Sequence, residues 1–192
     1  MLFRSLLRFV LAGSLLALPL LGAAQRPHAT RWEKGQFQGT TRVGTWEYYS
    51  YTATGERVVA QRYDHTTGTL LYCRADDQFY QAETSPGQWQ STLLNQPPWF
   101  VGGHEALAAY VAKLRYPAAA EARNVQGKVV IGFVVDTLGR LSQHRVVRGI
   151  GSGCDEEALR VSLTIPDTWV PARLAGRPVQ AVYELPFTFR LD

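Results

Sequence analysis

No short motif that announces catalysis is complete in this 192-residue sequence. His104-Glu105-Ala106-Leu107-Ala108 opens like the zinc-protease H-E-x-x-H, but Ala108 stands where the second histidine, one helical turn on, would have to be. One ligand remains on that segment, and His28, His65 and His144 show no ligand spacing around it. Gly149-Ile150-Gly151-Ser152-Gly153 sits between a strand-like and a helix-like segment, where phosphate loops occur. No Lys-Ser/Thr completes such a loop, and Asp155-Glu156-Glu157 would repel a phosphate. A Gly-x-Ser-x-Gly elbow is missing, as is any Ser, His and Asp set with the look of a triad. Nothing in these residues argues for an enzyme, a bound metal or an organic cofactor.

Charge is also sparse. Charged residues make up 19% of the chain and hydrophobic ones 46%, with 20 Lys+Arg against 16 Asp+Glu and a net charge of +4. That balance belongs to a folded chain and excludes a disordered, collagenous or polytopic membrane protein. The basic residues form no stripe, so no nucleic-acid partner is expected. Residues 1–24 contain no acid; they run from a basic start with Arg4 and Arg8 through an apolar stretch, Phe9 to Leu21, to Gly22-Ala23-Ala24. This is the pattern of a secretory signal, with cleavage after Ala24. The competing reading is an uncleaved inner-membrane anchor, for which the stretch is short against the about 20 residues of a span. Either reading delivers the rest of the chain beyond the inner membrane. No cysteine stands at the cleavage region, so a lipid anchor there is excluded. Cys73 and Cys154, the 2 cysteines, would meet an oxidising compartment. Their spacing leaves open a disulfide between them or two separate small buried residues.

The remainder divides by pattern. Residues 25–96 read as β-hairpins: short aromatic and β-branched runs such as Trp46, Tyr48, Tyr49 and Tyr51 alternate with turns at Thr54-Gly55 and Thr67-Gly68. Gly44-Thr45-Trp46-Glu47-Tyr48-Tyr49 and Tyr63-Asp64-His65-Thr66-Thr67-Gly68 suggest a weak internal repeat that loosely resembles MORN-like arrays. Exposed aromatics on such a ribbon would bind a partner; packing between hairpins is the commoner use. Pro97-Pro98 breaks the pattern, and a second unit is expected over 97–192. There Leu107, Tyr110, Val111 and Leu114 have helical spacing, Pro117 starts a short helix, and Asn124 suits a left-handed close. Val129, Ile131, Phe133 and Val135 alternate as a strand, Asp136-Thr137-Leu138-Gly139 turns, and Leu141 to Arg148 returns. Asp155, Glu156 and Glu157 open a helix with Leu159 and Leu163 as its core-facing pair. The last strand turns Tyr183, Leu185, Phe187, Phe189 and Leu191 to one face and Val182, Glu184, Thr188 and Arg190 to the other. The expected fold is α+β, a small antiparallel sheet covered by helices and preceded by a β-hairpin-rich segment.

Pro186 lacks the N–H that a central strand donates, so 179–191 is expected to run along a sheet edge. An unpaired edge is a template for another strand, with the main-chain groups of Val182, Glu184, Thr188 and Arg190 on the open side. Residues 31–96 or a second copy of the chain, giving a homodimer, are the alternative covers.

From Pro98 onward the chain resembles the C-terminal domain of TonB, in its Bacteroidetes-type form. The resemblance is carried by Trp99-Phe100-Val101-Gly102-Gly103, Leu114-Arg115-Tyr116-Pro117, Gln126-Gly127-Lys128-Val129, Phe133-Val134-Val135-Asp136 and Gly139. It continues through Val146 to Gly151, Cys154 to Arg160, Trp169 with Pro171, Gly176-Arg177-Pro178-Val179 and Leu185-Pro186-Phe187-Thr188-Phe189. The resemblance implies a periplasmic energy transducer that takes up the TonB box of TonB-dependent outer-membrane transporters by strand addition and couples to the ExbB and ExbD motor. It adds Lys113, Arg115 and Tyr116 to the peptide-binding residues, with an acidic peptide favoured. The long Pro-rich spacer of the family's best-known members is replaced here by the β-rich segment. An envelope interaction scaffold without motor coupling is the second reading.

Overall fold

The computed structural model describes residues 24–191, so the leader expected for 1–24 lies outside the described residues except for Ala24. Most of what it shows is antiparallel sheet, with few helices. β1 (Gln25–Ala29), β2 (Glu33–Gln38), β3 (Thr41–Tyr51), β4 (Arg57–Asp64) and β5 (Thr69–Cys73) form a five-stranded sheet in chain order. The turns fall at Thr54-Gly55 and Thr67-Gly68, between β3 and β4 and between β4 and β5. Trp46 and Tyr48, two residues apart on β3, point to the same side and are both buried. The aromatics of the repeat-like motif therefore pack. Phe37 meets the Trp46 ring edge-on at 5.0 Å, and the indole N–H donates to the carbonyls of Gln36 and Val43.

The prolines at 97–98 are not where the sheets divide. β6 (Phe79–Ser85) and β7 (Gln88–Leu93) precede them, and β8 (Trp99–Phe100), α1 (Gly103–Val111), α2 (Ala118–Glu121), β9 (Gly127–Val135), β10 (Leu141–Arg148) and α3 (Cys154–Ser162) follow. The chain closes with β11 (Trp169–Val170), β12 (Ala172–Leu174), β13 (Arg177–Val179) and β14 (Ala181–Phe189). The second five-stranded sheet has the order β10-β9-β14-β6-β7, so a hairpin from the segment before the prolines is part of it. β8 pairs with β11, and β12 with β13.

Register explains the second core. β9 and β14 pair along their whole length, from Ala181 opposite Val135 to Phe189 opposite Gly127. Val129, Ile131, Phe133 and Val135 then share one side with Leu185, Phe187 and Phe189, and Leu107, Ala120, Cys154, Ala158 and Val161 pack against them. Asn124 takes the expected left-handed conformation. Leu163 does not face the core: α3 ends at Ser162, Leu163 is its C-cap, and its side chain is 62% exposed. Cys154, Ala158 and Val161 supply the buried face instead.

The first sheet meets the head of α1 at Arg42 of β3. Its guanidinium lies 4.3 Å from the centre of the Trp46 ring and donates to Tyr48 Oη, to Glu33 Oε1 and to the carbonyl of Gly102 at the start of α1. Gly103 is held at φ 71° with the Tyr48 ring so close that a Cβ there would fall 2.3 Å from it. Trp99 meets the Tyr48 ring at 4.7 Å.

Both cysteines are free, which overturns the disulfide alternative. Cys154 is enclosed in the second core, while Cys73 ends β5 in the first sheet and accepts a weak hydrogen bond from Gln61. Among the described residues no helix is long and apolar enough to cross a membrane.

Phe187 is fully buried between the β9–β14 ladder and the helices. Phe187→Ala is expected to cost about 3–5 kcal/mol in chemical denaturation, against less than about 0.5 kcal/mol for truncation of the exposed Leu163. A loss below about 1 kcal/mol for Phe187→Ala would take β14 out of the core.

Candidate peptide-binding edge

β14 is third of five strands in its sheet, so the expectation of a simple edge strand is corrected. Its two sides differ. One is paired with β9 over all nine residues, the other with β6 at a single position, Ala181 opposite Ala82. Among the described residues no other strand pairs with that second side.

The hydrogen bonds beside this bridge set the phase of the strand. Glu83 N–H donates to the carbonyl of Gln180 at 2.9 Å, and the Gln180 side-chain amide donates back to Glu83 Oε2 at 2.9 Å. Gln180 thus directs its carbonyl toward β6. Main-chain groups alternate along a strand, so Val182, Glu184, Pro186 and Thr188 direct theirs to the same side and Tyr183, Leu185, Phe187 and Phe189 toward β9. Proline is tolerated at 186 because its missing N–H faces the unpaired side, not the ladder. Side chains follow the same parity: Glu184, Pro186, Thr188 and Arg190 are exposed. Val182 is the exception. It adjoins the Ala181 bridge and is buried, lining a small recess with Gln81, Trp89, Val134, Gln143 and Arg145. The open stretch therefore begins after Val182.

Of Lys113, Arg115 and Tyr116, only Tyr116 touches β14. Its ring meets Phe189 edge-on at 5.8 Å, and its hydroxyl donates to the carbonyl of Val125 at 2.6 Å. Lys113 is exposed, with its ammonium 4.2 Å from the centre of the Tyr110 ring. Arg115 donates its backbone N–H to Glu157 Oε1, whose carboxylate also receives Arg160. The Arg160 hydrogen bonds hold Glu157 below the usual carboxylate range. No hydrogen bond or ion pair links Lys113 or Arg115 to β14 among the described residues. The glycine loop at 149–153 is likewise no anion site: the Asp155 carboxylate accepts the N–H groups of Ile150 and Gly151.

Residues 112–191 match the family model for the Gram-negative bacterial TonB protein C-terminal, and this segment is recognised as a domain of that family. The family is envelope-associated and periplasmic, and works with TonB-dependent outer-membrane receptors. No curated protein and no solved structure matches the chain.

The parity of β14 is directly measurable. In the free protein the amides of Glu184 and Thr188 are expected to exchange at least about tenfold faster than those of Leu185 and Phe187. Equal protection across the four would mean that the second side of the strand is covered.

Proposed function

We propose, from the premise that residues 112–191 are a TonB C-terminal domain, that this chain takes up the TonB box of an outer-membrane transporter as an added strand along the open side of β14. The supporting observation is the one-sided pairing of that strand: nine residues face β9, and one, Ala181, meets β6. An incoming extended segment finds the main-chain groups of Glu184 and Thr188 free, and strand addition supplies affinity through such groups. Tyr116 holds the far end of β14 in place through Phe189, and Arg190, exposed just past that end, favours an acidic segment. The helices packed on one side of β9 and β14 complete the α+β unit, which acts by binding rather than by catalysis.

In this reading the protein works in the periplasm and supports active transport across the outer membrane. Coupling to ExbB and ExbD requires that the apolar N-terminal segment remain as an anchor. Cleavage after Ala24 turns the same binding edge into an adaptor or scaffold. The second role is favoured by the five-stranded sheet wedged between the N-terminus and the domain, where a transducer that crosses the periplasm needs reach.

Amide exchange with a saturating TonB-box peptide tests the binding claim. Slowed exchange at Glu184 and Thr188, with little change at Leu185 and Phe187, is the expected result. Unchanged protection throughout 179–191 at saturation would remove β14 from the site.

A further inference from the structure

Outside this edge, one cluster has an electrostatic balance that its own side chains do not complete. His28 of β1, Glu33 of β2 and Glu105 in the first turn of α1 place one ligating atom each within 4.8 Å of one another. Glu33 is 3% exposed, and its two oxygens differ. Oε1 accepts from Arg42 at 2.9 Å and meets His28 Nε2 at 3.0 Å; Oε2 is buried with no partner. Glu105 is half-buried and makes no hydrogen bond or ion pair among the described residues. Two carboxylates thus face one fixed cation. Arg42 is itself saturated by Tyr48, Gly102 and the Trp46 ring, so it offsets one negative charge and leaves the other. Burial, reinforced by the Glu105 charge, pushes the Glu33 carboxyl up even with Arg42 beside it.

We propose that His28, Glu33 and Glu105 form a site for a divalent transition metal of the zinc type, which joins the first sheet to α1. Imidazole nitrogen with two carboxylates is a borderline donor set that suits zinc; magnesium and calcium prefer oxygen alone. Two ligands about 2.0 Å from one tetrahedral zinc stand roughly 3.3 Å apart; His28 Nε2 and Glu33 Oε1 are 3.0 Å apart, and Glu105 lies within 4.8 Å of both residues. Binding requires His28 Nε2 to give up any proton it donates to Glu33, and a Glu33 carboxylate that holds the ion through both oxygens gives Oε2 its missing partner. Three protein ligands leave the fourth position to water.

The test uses the mature chain without a histidine tag, titrated with zinc chloride and, in parallel, with magnesium chloride. One zinc per chain, a raised unfolding temperature and no response to magnesium are expected. Cobalt substituted for zinc should show the absorption of a nitrogen and oxygen site without a thiolate charge-transfer band. Glu105→Gln and His28→Gln should each weaken zinc at least about tenfold, and circular dichroism of each variant checks that the fold persists. No binding at 100-fold excess over protein, a thiolate band from Cys73, or full affinity in folded Glu105→Gln would overturn the site.

Discussion

The parity of β14 governs most of what the second sheet can do. A strand residue sends its side chain to one face and its main-chain groups to one edge, and both choices flip at every step. In β14 the odd positions put Leu185, Phe187 and Phe189 into the core and their amides into the β9 ladder. From Glu184 onward the even positions put exposed side chains and unpaired main-chain groups on the other two sides. A shift of one residue would bury Glu184 and Thr188 and push the Pro186 ring into the ladder, where a hydrogen bond would be lost. The hydrophobic pattern, the proline and the available edge are one constraint seen from three directions.

The first sheet is joined to this unit by a compact polar and aromatic joint. Arg42 serves four neighbours at once: an indole face, a phenol, a carboxylate and the carbonyl at the head of α1. Planar and permanently charged, guanidinium meets all four geometries where an ammonium could not. Because Gly102 is one of those partners, the joint fixes where α1 begins, and Glu105 follows in its first turn. The brace and the cluster of His28, Glu33 and Glu105 share Glu33.

What the sequence made legible was local or periodic. The alternation at 129–135 and 183–191, the turns at Gly55 and Gly68 and the left-handed Asn124 follow from period and turn chemistry within a few residues. Leu163 falls outside the core because the buried face of α3 runs through Cys154, Ala158, Val161 and Ser162, so the i, i+4 pair Leu159 and Leu163 marks a stripe beside that face. The place of β6 and β7 was not legible at all, since a hairpin carries no mark of the edge it will join. Pro186 correctly pointed to an unpaired side, but not to a strand that is interior at one end and open along the rest. The His28, Glu33 and Glu105 cluster draws on three separate elements, so the test of ligand spacing around His104 could not find it; His104 itself stacks on Trp32 at 4.9 Å.

The single bridge between Ala181 and Ala82 makes the free side of β14 a slot with one blind end. From Tyr183 to Phe189 the slot is about 24 Å long at roughly 3.4 Å per residue. An occupant sliding toward Ala181 runs into the chain's own hairpin, whereas one sliding toward Phe189 meets no such stop. Such a seat resists displacement unequally in its two directions: it is a ratchet stop toward the hairpin and a sheared row of hydrogen bonds away from it.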